Sequence, residues 1–176
     1  MDKAFELAEL VKVGKNDKAT LGNLLEKYDY DFSQYEDSDV DDTGLYGYKY
    51  LDEYFTQEDN GRHAFFIKVD GKLAGFVLVR SEGDFTDNAD YSIAEFFVMH
   101  KYRRMGLGEY AFARVLDMFK GKWEVSVLQR NLPALSFWTK TISKCTSGEY
   151  VFEVKRLYRD VSGYVFSFKT GDVNVE

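Results

Sequence analysis

The sequence predicts an α/β (α+β) fold, a central mixed sheet carrying helices, and three observations predict it. Residue usage is that of a chain with a core: 45% hydrophobic and 17% aromatic over 176 residues, enough for one domain and too apolar for global disorder. From His63 onward, short runs rich in Val, Ile, Phe and Tyr recur between turn residues, which is the pattern of strands. Between those runs lie segments with apolar residues three and four apart, the period of helices. Strands and helices do not strictly alternate, so the sheet is expected to be mixed rather than wholly parallel.

Taken in order, residues 4–13 alternate as a first strand, and "NDKATLGNLLEKY" reads as a capped helix with Leu21, Leu24 and Leu25 on its apolar side. "HAFFIKV" and "LAGFVLVRS" form a hairpin, because Asp70-Gly71 between them supplies the positive φ of a tight turn. "YSIAEFFVM" is the next strand. Gly106 to Phe119 is helical, with Leu107, Ala111, Val115 and Phe119 recurring at every fourth position. "WEVSVLQ" is a strand, and "PALSFWTKTISK" a helix with Pro133 in its first turn. "EYVFEVKRL" and "YVFSFK" close the chain as strands. No repeat and no linker divides residues 1–176, which read as a single domain.

Charge narrows the partners. A net charge of -7 argues against nucleic acid and against an anionic membrane surface, both of which call for a basic face. One cysteine and two distant histidines make no metal-ligand spacing, so no metal is expected. The start lacks a cleavable leader pattern and no apolar run approaches a membrane span, which leads to the expectation of a cytoplasmic protein. The acids are not spread evenly. Between Tyr28 and Asp59 stand eleven acids against Lys49 alone, which leaves the remainder of the chain net positive.

The most informative stretch is "VMHKYRRMGLGEYAFARVLDMF", where Lys101, Arg103 and Arg104 precede Gly106 and Gly108 at the start of a helix. Glycines here let backbone N–H groups approach an anion, and the helix N-terminus adds partial positive charge. "GLGEYA" matches the dinucleotide fingerprint G-x-G-x-x-A, but "HKYRRM" separates it from its strand and Glu124 begins rather than ends the next strand. No Walker-type lysine follows. A plain helix start below a basic surface remains the structural alternative.

"RRMGLG" also fits [QR]-x-x-G-x-[GA] through Arg103, Gly106 and Gly108, and a second block follows with Asn131, Ala134 and Phe137-Trp138 in "NLPALSFW". With these two blocks, over residues 90–145, the chain resembles the GNAT superfamily of N-acetyltransferases; "FFVM" with "YRRMGLG" is particularly similar to diamine acetyltransferases. Within the superfamily it looks like a branch of predicted bacterial enzymes with unassigned acceptor. The resemblance implies a mostly antiparallel sheet of about seven strands flanked by about four helices, with splayed central strands. It implies acetyl-CoA as co-substrate, bound by the backbone of Arg104, Met105, Gly106, Leu107 and Gly108, with charge from Arg103 and Arg104. Val98 at the end of the central strand and Asn131 would hold the pantetheine arm.

By the same resemblance Glu95, three residues before Val98, is the candidate general base, since a carboxylate on this strand can take the acceptor's proton. A surface ion pair is the structural alternative for it. Trp138 stands seven residues after Asn131, where many members place a tyrosine acid; indole cannot serve as one, and a thiol of pKa ~8.5 leaves adequately without it. Tyr102 and Tyr110 are expected at the surface or in packing, and Cys145, late in the last helix, is expected to be buried. Residues 28–60, acidic and tyrosine-rich, occupy the stretch that shapes the acceptor site in the superfamily. Tyr28, Tyr30 and Asp31 are the candidate substrate contacts, for a cationic small-molecule or peptide amine. "EDSDVDD" reads as a solvated run. Two other functions stay open: an acyl-CoA-binding module without turnover, and an interaction domain using the acidic segment. The terminal strands leave room for a homodimer.

Overall fold

The structure, a computed structural model, describes residues 7–56, 60–158 and 160–170. Residues 4–6 of the expected first strand, and Glu58 and Asp59 of the acidic segment, lie outside them. Strands β1 (Ala8–Lys12), β2 (Arg62–Val69), β3 (Lys72–Arg80), β4 (Tyr91–Val98), β5 (Lys122–Leu128), β6 (Val151–Tyr158) and β7 (Val161–Lys169) form one sheet in the order β1-β2-β3-β4-β5-β7-β6. β1 with β2, β5 with β7 and β6 with β7 are antiparallel; β4 and β5 run parallel over Tyr91↔Trp123, Ser92↔Glu124 and Ile93↔Val125. The helices are α1 (Lys18–Phe32), α2 (Leu107–Met118) and α3 (Leu132–Cys145).

The described residues therefore hold three α-helices, not four, together with 3-10 turns at Lys15–Asp17, Leu51–Tyr54 and His100–Tyr102. After α1, the described residues of the acidic segment form one regular element, the turn at Leu51–Tyr54. Gly44 (φ 82) and Gly47 (φ 67) take left-handed backbone there, which stops a helix from continuing. α1 itself is longer than its apolar pattern, running on through "DYDF", and its cap differs from expectation: Asp17 precedes it without a side-chain capping bond, the entry being the 3-10 turn. α3 follows its signals closely. Asn131 Oδ1 accepts from the Ala134 N–H at 3.0 Å, and Pro133 stands in the first turn. The β2–β3 turn carries φ 53 at Asp70 and φ 68 at Gly71, as a two-residue hairpin requires.

The chain divides into two compact units. Of the described residues, those up to 78 with 95–108 make the first, and 79–94 with those from 109 onward the second. In the first, Leu21, Leu24 and Leu25 of α1 are buried, as are Phe65 to Ile67 of β2 and Phe76 to Leu78 of β3. Gly75 is required there: a Cβ on it would lie 2.0 Å from the Phe97 carbonyl oxygen and 3.1 Å from the Val98 Cα.

In the second unit Ala111, Phe112 and Val115 of α2 are buried, and Phe112 meets Trp138 edge-on at 5.0 Å. Phe119, expected as the helix's last apolar position, falls beyond its end and packs on Tyr91 at 5.3 Å. Cys145 is exposed rather than buried, because α3 turns its last residue outward after Ile142. At the sheet edge β6 exposes Val151, Phe152, Val154 and Tyr158.

A buried carboxylate organises the β3–β4 connection. Glu124, 2% exposed, accepts from the backbone N–H groups of Asp84, Phe85 and Thr86 and from the Thr86 hydroxyl at 2.6 Å. Gly83 is the close neighbour that this arrangement demands, since a Cβ would fall 2.8 Å from the carboxyl carbon. Glu124→Ala leaves several donors without a partner, and each such loss costs about 1–3 kcal/mol where water cannot replace it. Chemical denaturation is expected to show a loss of about 2 kcal/mol. An unchanged midpoint would mean that solvent satisfies the loop.

Candidate active site

The candidate site lies in the first unit, and β4 positions its central residue. Residues alternate across a strand, so Glu95 and Phe97 point to one side. Glu95 receives two phenols there: the Tyr28 hydroxyl donates to Oε2 at 2.5 Å, and the Tyr48 hydroxyl to Oε1 at 3.0 Å. Tyr28 comes from α1 and Tyr48 from the segment after it, so three separate parts of the chain meet on one carboxyl group. The ion-pair alternative for Glu95 is not what the structure holds; both partners are neutral donors.

Burial pushes the Glu95 carboxyl up to about 7. The two tyrosine hydrogen bonds oppose that shift by stabilising the carboxylate, and the negative charges of Asp29 and Glu36 reinforce it. Glu95 nevertheless keeps part of its surface open. Burial and the adjoining Glu95 charge hold Tyr28 well above the usual phenol value, and Tyr48 likewise, so both remain donors at neutral pH. Asp29 nearby is raised to about 6 by burial and by Glu26 and Glu36. The ring of Tyr28 is fixed by Phe32, Phe76 and Phe97, with centroids 5.2, 5.8 and 5.9 Å away.

The two arginines of the glycine turn have different duties. Arg103 donates from Nε to the Val98 carbonyl at 2.7 Å and from its terminal nitrogen to Asp31 Oδ2 at 2.5 Å, with its guanidinium 5.6 Å from the Phe97 ring centroid. His100 Nε2 lies 3.2 Å from the other Asp31 oxygen. Burial raises Asp31, but Arg103 and His100 outweigh it and leave the carboxyl below its ordinary range. Arg104 is exposed and has φ 61; Gly106 follows with φ 79, and α2 begins at Leu107. Left-handed residues set into this run make a concave row of N–H groups, ending in a helix whose first four N–H groups have no intrahelical acceptor. Such a row can hold an anion, and Arg104, Met105 and Gly106 are open to solvent.

A cleft of 660 Å³ opens beside these residues, lined from α1 by Glu26, Tyr30 and Asp31, from the following segment by Val40, Leu45 and Tyr46, and from β4 and its end by Phe97 and Met99. Glu95 is not itself part of the lining. Of the three candidate substrate contacts, Tyr30 and Asp31 line the cleft, with Tyr30 74% exposed, while Tyr28 is engaged by Glu95. Asn131 stands in the second unit as the cap of α3. Sequence reasoning gave no role to Tyr48 or to Glu26, whose carboxylate receives the Tyr46 and Gly47 N–H groups at 2.8 and 2.9 Å and so fastens the segment to α1. Neither contact leaves a periodic trace, and the glycines at 44 and 47 were the only local signal. Among the described residues no group of three or more metal-ligating side chains occurs, and no helix is long and apolar enough to cross a membrane.

Residues 24–142 match the model of the Acetyltransferase (GNAT) family. None of the curated proteins matches the chain in sequence. Among solved structures, it resembles an acetyltransferase from Thermus thermophilus at 13% identity, covering 92% of this chain and 96% of that one, with a TM-score of 0.66. Spermidine N-acetyltransferase from Vibrio cholerae, solved with CoA and spermine, gives 14% identity, coverage of 94% and 96%, and a TM-score of 0.66. Ribosomal-protein-S18-alanine N-acetyltransferase from Escherichia coli gives 12%, coverage of 96% and 99%, and 0.62. At such identities the likeness is one of fold.

Proposed function

The chain belongs to the acetyltransferase (GNAT) family, and on that premise we propose that it transfers an acetyl group from acetyl-CoA directly to a primary amine, with Glu95 as the general base. The observation that carries this is the carboxyl of Glu95 on β4, raised to about 7 and held by the Tyr28 and Tyr48 hydroxyls.

Bound acetyl-CoA would supply a thioester carbon for the amine to attack and a thiolate able to leave. The protein's own part begins with the acceptor's proton. An alkylammonium of pKa ~10.4 holds its lone pair back by about 4 to 5 kcal/mol at neutral pH. Each Glu95 oxygen accepts one tyrosine hydrogen bond and has a second lone pair for the ammonium or a bridging water. A base near 7 is half ionised at neutral pH, so it can take the proton as attack proceeds and give it up afterwards.

The residues present fit the polyanion of CoA. The N–H row from Arg104 to Gly108 suits a pyrophosphate, and Arg104 is the cation exposed there, whereas Arg103 is engaged by Asp31 and Val98. A carbonyl oxygen has two acceptor sites, so Val98 can still accept from a pantetheine amide. Tyr30 and Asp31, in the cleft lining, are proposed to face the acceptor.

Calorimetric titration of acetyl-CoA tests the cradle. The wild type is expected to bind in the micromolar range. Arg104→Gly removes the charge while keeping a residue suited to φ 61, and should weaken binding roughly tenfold with a shallower salt dependence. No binding to the wild type would remove acetyl-CoA from the proposal.

A further inference from the structure

The cleft's lining says more about the acceptor than segment composition does. Between Tyr28 and Asp59 the acids outnumber the bases heavily, and composition alone points to a polycation. Placement points elsewhere. Two carboxylates line the cleft: Asp31 is paired with Arg103 and His100, and Glu26 receives the Tyr46 and Gly47 N–H groups and has no cationic partner among the described residues. Asp41, beside the lining residue Val40, directs Oδ1 to the Thr43 N–H and hydroxyl and the Leu45 N–H.

The remaining charges in the lining are cations. Lys27 reaches only the Asn23 carbonyl, at 3.1 Å, and Lys101 lies over the Tyr102 ring at 5.3 Å; neither forms an ion pair among the described residues. Apart from His100 and Gly44, the rest of the wall is apolar or aromatic: Tyr30, Val40, Leu45, Tyr46, Phe97 and Met99. Phe97 shares a face of β4 with Glu95, so the apolar floor leads toward the carboxyl group that takes the proton.

Resting on the amine-acceptor assignment above, we propose that this cleft selects a primary monoamine carried on a large apolar or aromatic body, and that Lys27 and Lys101 discriminate against polyamines. A volume of 660 Å³ lies within the range of small-molecule sites. Burying a methylene there raises affinity about threefold to fourfold. A second or third ammonium would meet two exposed lysines, Lys27 and Lys101, against one lining carboxylate that lacks a cationic partner among the described residues, Glu26, and rejection of the wrong ligand by like charge is an effective route to specificity.

Calorimetry in the presence of saturating CoA, with 4-phenylbutylamine and spermidine as probes, tests the inference. The aryl amine is expected to bind at least tenfold tighter. Leu45→Glu places a new charge on a residue that is 49% exposed and therefore tolerant of change; it should weaken the aryl amine about tenfold and strengthen spermidine. Spermidine binding as tightly as the aryl amine in the wild type, or no saturable binding of either, overturns the inference. CoA-thiol release with acetyl-CoA, followed on the same pair, separates it from the transferase assignment. Preferential binding of the aryl amine without release retains the cleft's selectivity and removes the transfer role of Glu95. Release that is faster with spermidine retains transfer and overturns the selectivity.

Discussion

Glu95→Gln is expected to lower kcat for acetyl transfer by roughly 10²- to 10⁴-fold, the span over which a positioned general base contributes, while acetyl-CoA binds as to the wild type. Glutamine keeps the shape and one acceptor oxygen, so Tyr28 retains packing against Phe76 and Phe97 and the pocket stays formed. What is lost is the ability to take a proton. In the wild type the active form is the carboxylate, so kcat/KM should rise with pH along a limb near 7 that the variant lacks. Tyr28→Phe removes a hydrogen bond that stabilises the carboxylate, and should move that limb to higher pH.

The same shift has a consequence for stability. The folded carboxyl titrates above its usual 4.5, so between there and about 7 the folded state holds more protons than the unfolded chain. Stability from this group is full below pH 4.5 and is lost as pH rises through 7. Melting curves should show the wild type losing ground to Glu95→Gln between pH 5 and 8. An activity limb that survives in Glu95→Gln would assign the base elsewhere.

The second large effect is expected from a single methyl group. Gly75→Ala places a Cβ against the backbone of Phe97 and Val98, and neither backbone can yield as a flexible side chain would. β3 and β4 would have to separate at the residues that carry Phe97 into the core and Glu95 to its tyrosines. Losses from overpacking run to about 1–3 kcal/mol, and this contact lies at or beyond the upper end because backbone must move. Urea denaturation should show about 3 kcal/mol or more lost. Since the displaced strand is that of Glu95, remaining folded protein should also lose kcat. Wild-type stability in Gly75→Ala would show that the two strands have slack.

Much of the fold is written locally. The Asp70-Gly71 hairpin follows from two residues able to adopt positive φ, and α3 from Asn131 and Pro133 at its start. Helix α1 outran its pattern because "DYDF" is acidic and aromatic, and Tyr28 inside it is held by Glu95, 67 residues away. The resemblance implied about four helices and the described residues hold three; after α1, Gly44 and Gly47 take left-handed backbone ahead of the 3-10 turn at Leu51–Tyr54. Cys145 read as buried because small cysteines usually are, yet its position on the last turn of α3 decides the matter.

The site divides in the same way. Glu95 could be singled out by its place on the central strand, but Tyr48 sits 47 residues from it and carries no period or motif. Acid-rich composition drew attention to residues 28–60, and only the fold distinguishes a paired carboxylate, such as Asp31 held by Arg103 and His100, from a solvated one. Glu124 makes the general point. It looked like an ordinary strand residue, while its role depends on three N–H groups about 40 residues earlier that converge on it only in the folded chain.

The most direct measurement is amine-dependent release of CoA thiol from acetyl-CoA, followed together with mass analysis of the amine. Acetyl transfer to an amine requires one thiol released for each acetylated amine formed, in wild type and not in Glu95→Gln. Tight binding of acetyl-CoA with no release above the amine-free rate, across monoamines, polyamines and peptide N-termini, would contradict it and leave a cofactor-binding module without turnover.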